Sequence, residues 1–476
     1  MADIVGRSAE KEVLQRTLDS REAEFVAIYG RRRVGKTYLI RAFYENHMRF
    51  ELTGEYKASL ADQLENFAFA LGRAQNRNIE APESWRKAFQ LLISFIDTLD
   101  KKQKHVLFFD ELPWLCSPRS QFLSNLEYFW NAWCVKYPNI ILVVCGSAAS
   151  WMIQKIINNK GGLHNRTTRR IQLAPFSLTE SHSYLKYRGI NLSHRQVLQL
   201  YMSMGGIPYY LKEVERGLSA AQNIANTCFS KTGLLKNEFL NLFASLFKHS
   251  HRHEKIVRIL AASRMGLSRQ DIQNKSKQKS GGTLTTTLSE LVESGFIEKL
   301  APGKGHRKVA LYRLVDEYTL FYLHWIENST ISNEEEWLKR QNSPAWLSWS
   351  GYAFETICLK HVDRLKQALG IGSVESDIYS WLHRSPSPEN PGAQIDLVID
   401  RRDDCINLCE MKFSLNPFVV DKKYASTLQQ KKEVFRNTTG TRKSLFTTLI
   451  TVEGVRVNEY FGEVVDQSID ADVLFS

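Results

Sequence analysis

Apolar positions along the chain change their spacing several times, and each change marks an element. "FVAIYGRRRVGKTYLIRAFYEN" (Phe25 to Asn46) reads as an apolar strand, a glycine loop and an amphipathic helix. "HVLFFDELPWL" holds an apolar strand, Val106 to Phe109, and "IILVVCGSAASWM" a strand ending at Cys145. A further strand follows "LHNRTTRR". Strands alternating with helices in this way predict a parallel sheet covered on both faces. Helical spacing dominates from Leu178 to about Phe247. The stretch from Lys248 to Leu314 then reads as helix, short helix, polar gap, helix (about Thr283 to Ser294) and two strands around "APGKGHRK". An aromatic-rich connector leads to the amphipathic helix "GYAFETICLKHVDRLKQALG", the strand "QIDLVID", the turn "RRDD" and the strand "CINLCEMKFS". The predicted class is α/β. The expected bounds are 1–177 for a phosphate-loop core, 178–247 for a helical lid, 248–315 for a middle domain, and 316–476 for the connector with a final α/β domain. At roughly 150 residues per domain, 476 residues fit such a multidomain reading.

Charge adds a partner. The chain carries a net +12, and the segment from Lys248 to Leu314 alone holds fourteen Lys and Arg against five Asp and Glu, a net of +9. Positive charge focused on one element order of the winged-helix type points to DNA, with the third helix as reader. Winged helices also serve as protein-docking modules, and that alternative stays open. Seven scattered cysteines have neither zinc spacing nor a paired framework, so they read as buried thiols in a reducing compartment. The opening "MADIVGRSAEKEV" has no signal-peptide core, and no apolar run reaches the ~18 residues of a membrane span. The expectation is a cytoplasmic protein with no membrane partner. A homo-oligomer is compatible with the sequence.

The candidate chemistry begins in the loop. Gly30, Gly35, Lys36 and Thr37 fit G-x-x-x-x-G-K-[ST] between a strand and a helix, the setting in which backbone N–H groups curl round phosphates. The expected ATP contacts are Gly30, Arg31, Arg32, Arg33, Val34, Gly35, Lys36, Thr37 and Tyr38. Lys36 is placed to reach the β and γ phosphates, and Thr37 to ligate Mg²⁺. Asp110 would hold the same ion at the end of its strand, Glu111 would orient the attacking water, and Ser147 would sense the γ-phosphate. Arg166, Arg169 or Arg170 could stabilise transition-state charge, or could form an ordinary basic edge; Arg166 is the candidate carried forward.

These motifs resemble the prokaryotic, archaeal-type AAA+/STAND ATPases, in particular the branch that ends in a PD-(D/E)XK nuclease-like domain. The resemblance rests on "VGRSAEKEVL", "YGRRRVGKT", "FFDELPWL", "CGSAASWM", "LHNRTTRRIQLAPF" and "GGIPYYL", which run in family order over most of the chain. It implies that Gly6, Arg7 and Glu10 lie beside the nucleotide, and that Gly206 to Pro208 belong to a lid sensing its state.

In the last domain Glu410 and Lys412 are two apart on one strand, so they share a face. Asp396 lies on the neighbouring strand, and a helix can bring Glu355 from the side. Asp396 and Glu410 are the expected ligands of Mg²⁺ or Mn²⁺, with Glu355 and Lys412 beside them, a set suited to phosphodiester hydrolysis. The other reading is two ordinary strands with polar residues on a wet face. Gln429, Gln430 and nearby basic residues could meet backbone phosphates. Two functions fit: a nuclease gated by the ATPase, or a regulatory switch whose nuclease-like domain binds DNA or protein without cutting.

Overall fold

A computed structural model of the protein describes residues 3–117, 119–159, 161–163, 165–277, 281–300, 309–327, 331, 333–384 and 392–476. The first sheet takes β1 (Glu24–Tyr29), β2 (Met48–Thr53), β3 (His105–Asp110), β4 (Ile140–Gly146) and β5 (Arg169–Gln172) in the order β2-β3-β4-β1-β5, every pairing parallel. Its apolar strands serve two cores at once. Val26 and Ile28 of β1 enter one cluster while Phe25 and Ala27 enter the other. Val106 and Phe108 alternate with Leu107 and Phe109 in the same way. Burial on both faces is the reason these strands read as continuous apolar runs.

Two consequences position the site. All the strands point their C-terminal ends the same way, so the residues after β1, β3 and β4 meet at one edge. The strand before Ser147, β4, lies between β1 and β3, so Ser147 stands between the phosphate loop and the Asp110–Glu111 pair.

Beyond β5 the helices Leu178–Tyr187, His194–Met204 and Pro208–Leu211 fold back over this edge. The Gly206 turn beneath them admits no side chain, since a Cβ there would sit 1.8 Å from the Phe176 carbonyl oxygen. The middle unit consists of helices Ser250–Ala261, Arg269–Ser276 and Gly282–Glu293 with β6 (Leu267–Ser268), β7 (Ile297–Leu300) and β8 (Leu311–Leu314). These strands form an antiparallel sheet in the order β6-β8-β7. The connection "APGKGHRK" between β7 and β8, and Lys279, lie outside the described residues.

The final unit holds β9 (Ser376–His383), β10 (Ala393–Arg401), β11 (Cys405–Lys412), β12 (Phe418–Val419), β13 (Ser444–Thr451), β14 (Val455–Arg456) and β15 (Gln467–Asp470). Five of them form a mixed sheet, β15-β13-β11-β10-β9, while β12 and β14 pair separately. Helix Lys422–Thr439 covers one face through Phe435. The helix bearing Glu355 differs from expectation. It runs Pro344–Lys360, absorbs Trp346 and Trp349 from the connector, and breaks before Val362. Its buried positions (Trp346, Trp349, Tyr352, Ala353, Phe354, Ile357, Cys358) surround the axis instead of forming one stripe. A helix wedged between the connector and β11 has little free side to leave polar.

Among the described residues no helix is long and apolar enough to cross a membrane. All seven cysteines are free thiols, five of them buried.

Candidate functional site

The phosphate loop closes on itself. Lys36 Nζ donates to the carbonyls of Gly30 (3.0 Å) and Arg31 (2.9 Å) and to Ser147 Oγ (3.1 Å). Ser147 Oγ in turn donates to Glu111 Oε1 at 2.6 Å, and its backbone N–H points to Glu111 Oε2 at 3.3 Å. Beside this chain the Thr37 hydroxyl donates to Asp110 Oδ2 at 2.6 Å, while Asp110 Oδ1 accepts from the Glu111 N–H at 2.9 Å. A hydroxyl and a carboxylate in hydrogen-bond contact at the foot of a phosphate loop are a hard-oxygen pair suited to Mg²⁺.

A cavity of about 780 Å³ opens over these groups. Arg32, Arg33, Val34, Gly35, Lys36, Thr37, Tyr38, Glu111 and Ser147 line it. Its other walls include Arg7, Phe176, Tyr184, Tyr187, Arg188, Pro208 and Tyr209. No short motif contains these residues together; single positions from the start of the chain and from the lid converge here. Arg7 is 5% exposed, bonds Val34 O through Nη2 and the Glu180 carboxylate through its N–H, and lies over Phe176 at 4.5 Å. Burial lowers its pKa. Glu10 holds Arg7 at 3.6 Å. The Gly6 backbone is left-handed (φ 66°), and a Cβ there would meet Glu180 at 2.8 Å. Arg7, Arg33 and Glu111 also have left-handed backbones, at φ 56°, 71° and 46°. Three non-glycine residues in that region around one cavity mark a constrained site.

Some expected contacts lie elsewhere. Arg31 points away from the cavity into a buried ion pair with Asp316. Arg33 lines the cavity but also pairs with Glu238 at 2.7 Å and lies over Tyr209 at 4.4 Å. Arg166 is exposed and does not line the cavity. Arg169 pairs with Glu24 at 3.2 Å, and Arg170 Nε bonds Thr167 Oγ1 at 3.0 Å.

In the final unit, Leu397 faces Cys409 and Val398 faces Leu408 in an antiparallel register, which brings Asp396 opposite Glu410. Neither is on a wet face: Asp396 is 8% and Glu410 2% exposed. Asp396 Oδ2 accepts from the Met411 N–H at 3.0 Å. Lys431 Nζ lies 2.7 Å from both oxygens of Glu410 and Lys412 Nζ 3.6 Å from one of them; the Tyr424 hydroxyl points to Glu410 at 3.4 Å. Burial and the Asp396 charge raise the Glu410 pKa. Burial and Asp396 also push Glu355 up to about 7, against the pull of Lys412 and Arg264. The carboxylates are near enough to repel. Even so, no three His, Cys, Asp or Glu side chains among the described residues are grouped to hold a metal ion. Lys431 instead occupies both oxygens of Glu410. The sequence suggests Gln429, Gln430 and nearby basic residues of this helix as phosphate contacts; both glutamines are exposed, and Lys431 turns to Glu410. Arg264, contributed by the middle unit, was also missed; it lies over Tyr352 at 5.2 Å, one helical turn from Glu355.

The middle unit's third helix buries Leu284, Thr287, Leu288 and Leu291 and exposes Thr283, Thr285, Thr286 and Ser289. It carries no Lys or Arg, and it packs against helix Ala149–Met152 just past Ser147. The exposed Lys275 and Lys277 lie in the segment before it.

Residues 4–214 match the model of an ATPase domain found predominantly in Archaea. An uncharacterised protein of Methanocaldococcus jannaschii, MJECL04, is 26% identical over 397 residues, 83% of each chain. A second protein of that organism, the uncharacterised ATP-binding protein MJ0423, is 50% identical over 42 residues, 9% of this chain and 71% of its own. The solved structure of the Walker-type ATPase PABY2304 of Pyrococcus abyssi aligns with a TM-score of 0.51 at 17% identity, covering 68% of this chain and 97% of that one. At that identity the likeness is one of fold.

Proposed function

From an archaeal-type ATPase domain at residues 4–214, we propose that the protein binds and hydrolyses ATP with Mg²⁺, and that the nucleotide controls a DNA-directed, cation-dependent nuclease-type site in the C-terminal unit. One observation carries the ATPase half: Lys36, Ser147 and Glu111 form a continuous hydrogen-bonded chain beside the Thr37–Asp110 pair. A triphosphate in the cavity competes for Lys36 and Ser147. Once Ser147 turns to the γ-phosphate, Glu111 loses its partner and is free to take a proton from an attacking water. Thr37 and Asp110 would hold Mg²⁺, which when bound would supply positive charge to the phosphates. Arg166 is exposed and away from this cavity, so a finger role for it requires a neighbouring copy of the chain.

The DNA half rests on Asp396 opposite Glu410, on Lys412 sharing the Glu410 face, and on Arg264 and Lys431 as flanking cations. A cation bound to Asp396 and Glu410 would polarise a phosphodiester and its attacking water. The three-helix, three-strand order of the middle unit supports a winged helix. With its third helix resting on the ATPase core, DNA contact falls to basic residues around that helix, Lys275 and Lys277 among them.

A second reading is favoured by the double contact of Lys431 with Glu410. A carboxylate already neutralised by a lysine suits a unit that binds DNA or protein without cutting. Cleavage of linear and supercoiled DNA with Mg²⁺ or Mn²⁺, with and without ATP, separates the two. The nuclease reading expects ATP-sensitive cleavage that Lys412→Ala removes; wild type that cuts under none of these conditions leaves the binding reading.

A further inference from the structure

The three arginines of "GRRRVGKT" do three different things. Arg32 lies 5.8 Å from the centre of the Trp114 ring and Arg33 pairs with Glu238 of the helical lid. Arg31 turns its guanidinium to the back of the loop, where it is 2% exposed, ion-paired with Asp316, and 4.7 Å over the Phe296 ring of the middle unit. At its front, the same residue's carbonyl accepts from Lys36, the lysine placed to grip phosphate. Arg31 therefore touches the phosphate-binding group with its main chain and a distant segment with its side chain.

That distant segment leads onward. Asp316 accepts from the Thr319 N–H at 3.0 Å and starts helix Glu317–Phe321. The next residue, Glu317, pairs with Lys360 at 2.5 Å. Lys360 is the last residue of helix Pro344–Lys360, which carries Glu355 beside Asp396. Asp316 and Glu317 are 2% and 5% exposed, so solvent does little to screen the Arg31–Asp316 contact, whereas Lys360 meets solvent on one side. Arg31 Nε and Nη2 have no hydrogen-bond partner among the described residues. A buried guanidinium with two unmet donors is poised for a different set of partners when the loop moves.

We propose that Arg31 is a positioning residue that passes the occupancy of the phosphate loop, through Asp316, Glu317 and Lys360, to the helix that sets the C-terminal carboxylate site. The inference rests on the ATP reading above but not on nuclease activity. The two ends of the route are joined by ion pairs whose acidic partners are buried, so a shift of the loop moves the helix, and the coupling is reciprocal.

The test is hydrogen–deuterium exchange of the full chain with and without a non-hydrolysable ATP analogue, with analogue affinity measured separately by calorimetry. In wild type the analogue should change exchange in residues 344–360 by about fivefold. Lys360→Met, distant from the nucleotide cavity, should abolish that response while affinity stays within about threefold, and Lys360→Arg should restore it. The double variant Arg31→Met/Asp316→Asn, which leaves no buried charge alone, should behave as Lys360→Met does. Exchange in 344–360 that ignores the analogue in wild type, or responds equally in Lys360→Met, overturns the proposal. So does a folded double variant that no longer binds the analogue, because the pair would then shape the loop itself. Wild type that binds no ATP analogue would instead refute the ATP reading, a distinguishable failure.

Discussion

The two candidate sites hold a buried charge in opposite ways. At the phosphate loop the cation, Lys36, is held by carbonyls and a hydroxyl, all neutral acceptors that a triphosphate outcompetes. At the C-terminal pair the anion, Glu410, is held by a full opposite charge from Lys431, with a second lysine close by. The first arrangement is open and waiting, beneath a cavity of about 780 Å³. The second is neutralised from within. A site built from backbone carbonyls is ready whenever its ligand arrives; one built from paired side chains needs something to separate the pair.

Breaking each lock in turn sharpens that contrast. The largest effect is expected at Lys36. Lys36→Ala removes a charge aimed at the triphosphate and should weaken ATP binding by about a thousandfold, on the order of 4 kcal/mol, by calorimetry. Binding within tenfold of wild type would mean the lysine is not the grip.

Next comes Lys431→Met. It leaves Glu410, 2% exposed, with the Tyr424 hydroxyl and the more distant Lys412, and should cost about 3 kcal/mol of stability in thermal unfolding at neutral pH. Mg²⁺ or Mn²⁺ should recover more of that loss in the variant than it adds to wild type, since a cation can replace the missing ammonium. Equal effects of the metal on both proteins would rule out a cation at this pair.

Glu111→Gln should slow ATP turnover by about a hundredfold, roughly 2.7 kcal/mol of barrier, with analogue affinity nearly unchanged. Hydrolysis at the wild-type rate would remove Glu111 from proton transfer.

The smallest effect belongs to Glu355. Its carboxyl is raised from 4.5 to about 7, so between those values the folded chain keeps a proton that the unfolded chain releases. Stability from this group therefore falls as pH rises through that window, by about 1–2 kcal/mol between pH 5 and 8. Glu355→Gln should flatten the decline and raise Tm at pH 8. An unchanged slope would place the carboxyl in an ordinary environment.

Legibility in the sequence follows from distance along the chain. The phosphate loop was readable because strand, glycine turn, Lys36 and Thr37 are contiguous, and the fold realises that order directly. Asp110, Glu111 and Ser147 were readable because a parallel sheet brings strand ends to one edge. The pairing of Asp396 with Glu410 followed from a short turn and a period of two. Lys431 was not readable: on a strongly charged helix it looks like any solvated lysine, and only the sheet beneath selects it. Arg31 carried the opposite difficulty, since its place within the motif suggested a nucleotide contact while its side chain served Asp316. The helix Pro344–Lys360 hid for a third reason. Being enclosed nearly all round, it lacks the one-sided stripe by which helices are recognised.

The Arg31–Asp316 pair spans 285 residues and His194–Asp472, at 2.7 Å, spans 278. A ribosome adding about 5–20 residues per second leaves Arg31 waiting on the order of tens of seconds for its counter-charge. During synthesis the loop, its sheet and its lid can be assembled around a guanidinium that has nowhere to discharge. The ATPase core is thus finished from behind, by a segment translated long after it. A fragment stopped at residue 214 would keep that unfinished condition permanently: it lacks Asp316 and would show Arg31 to water, while the Lys36 contacts that close the loop all lie within it.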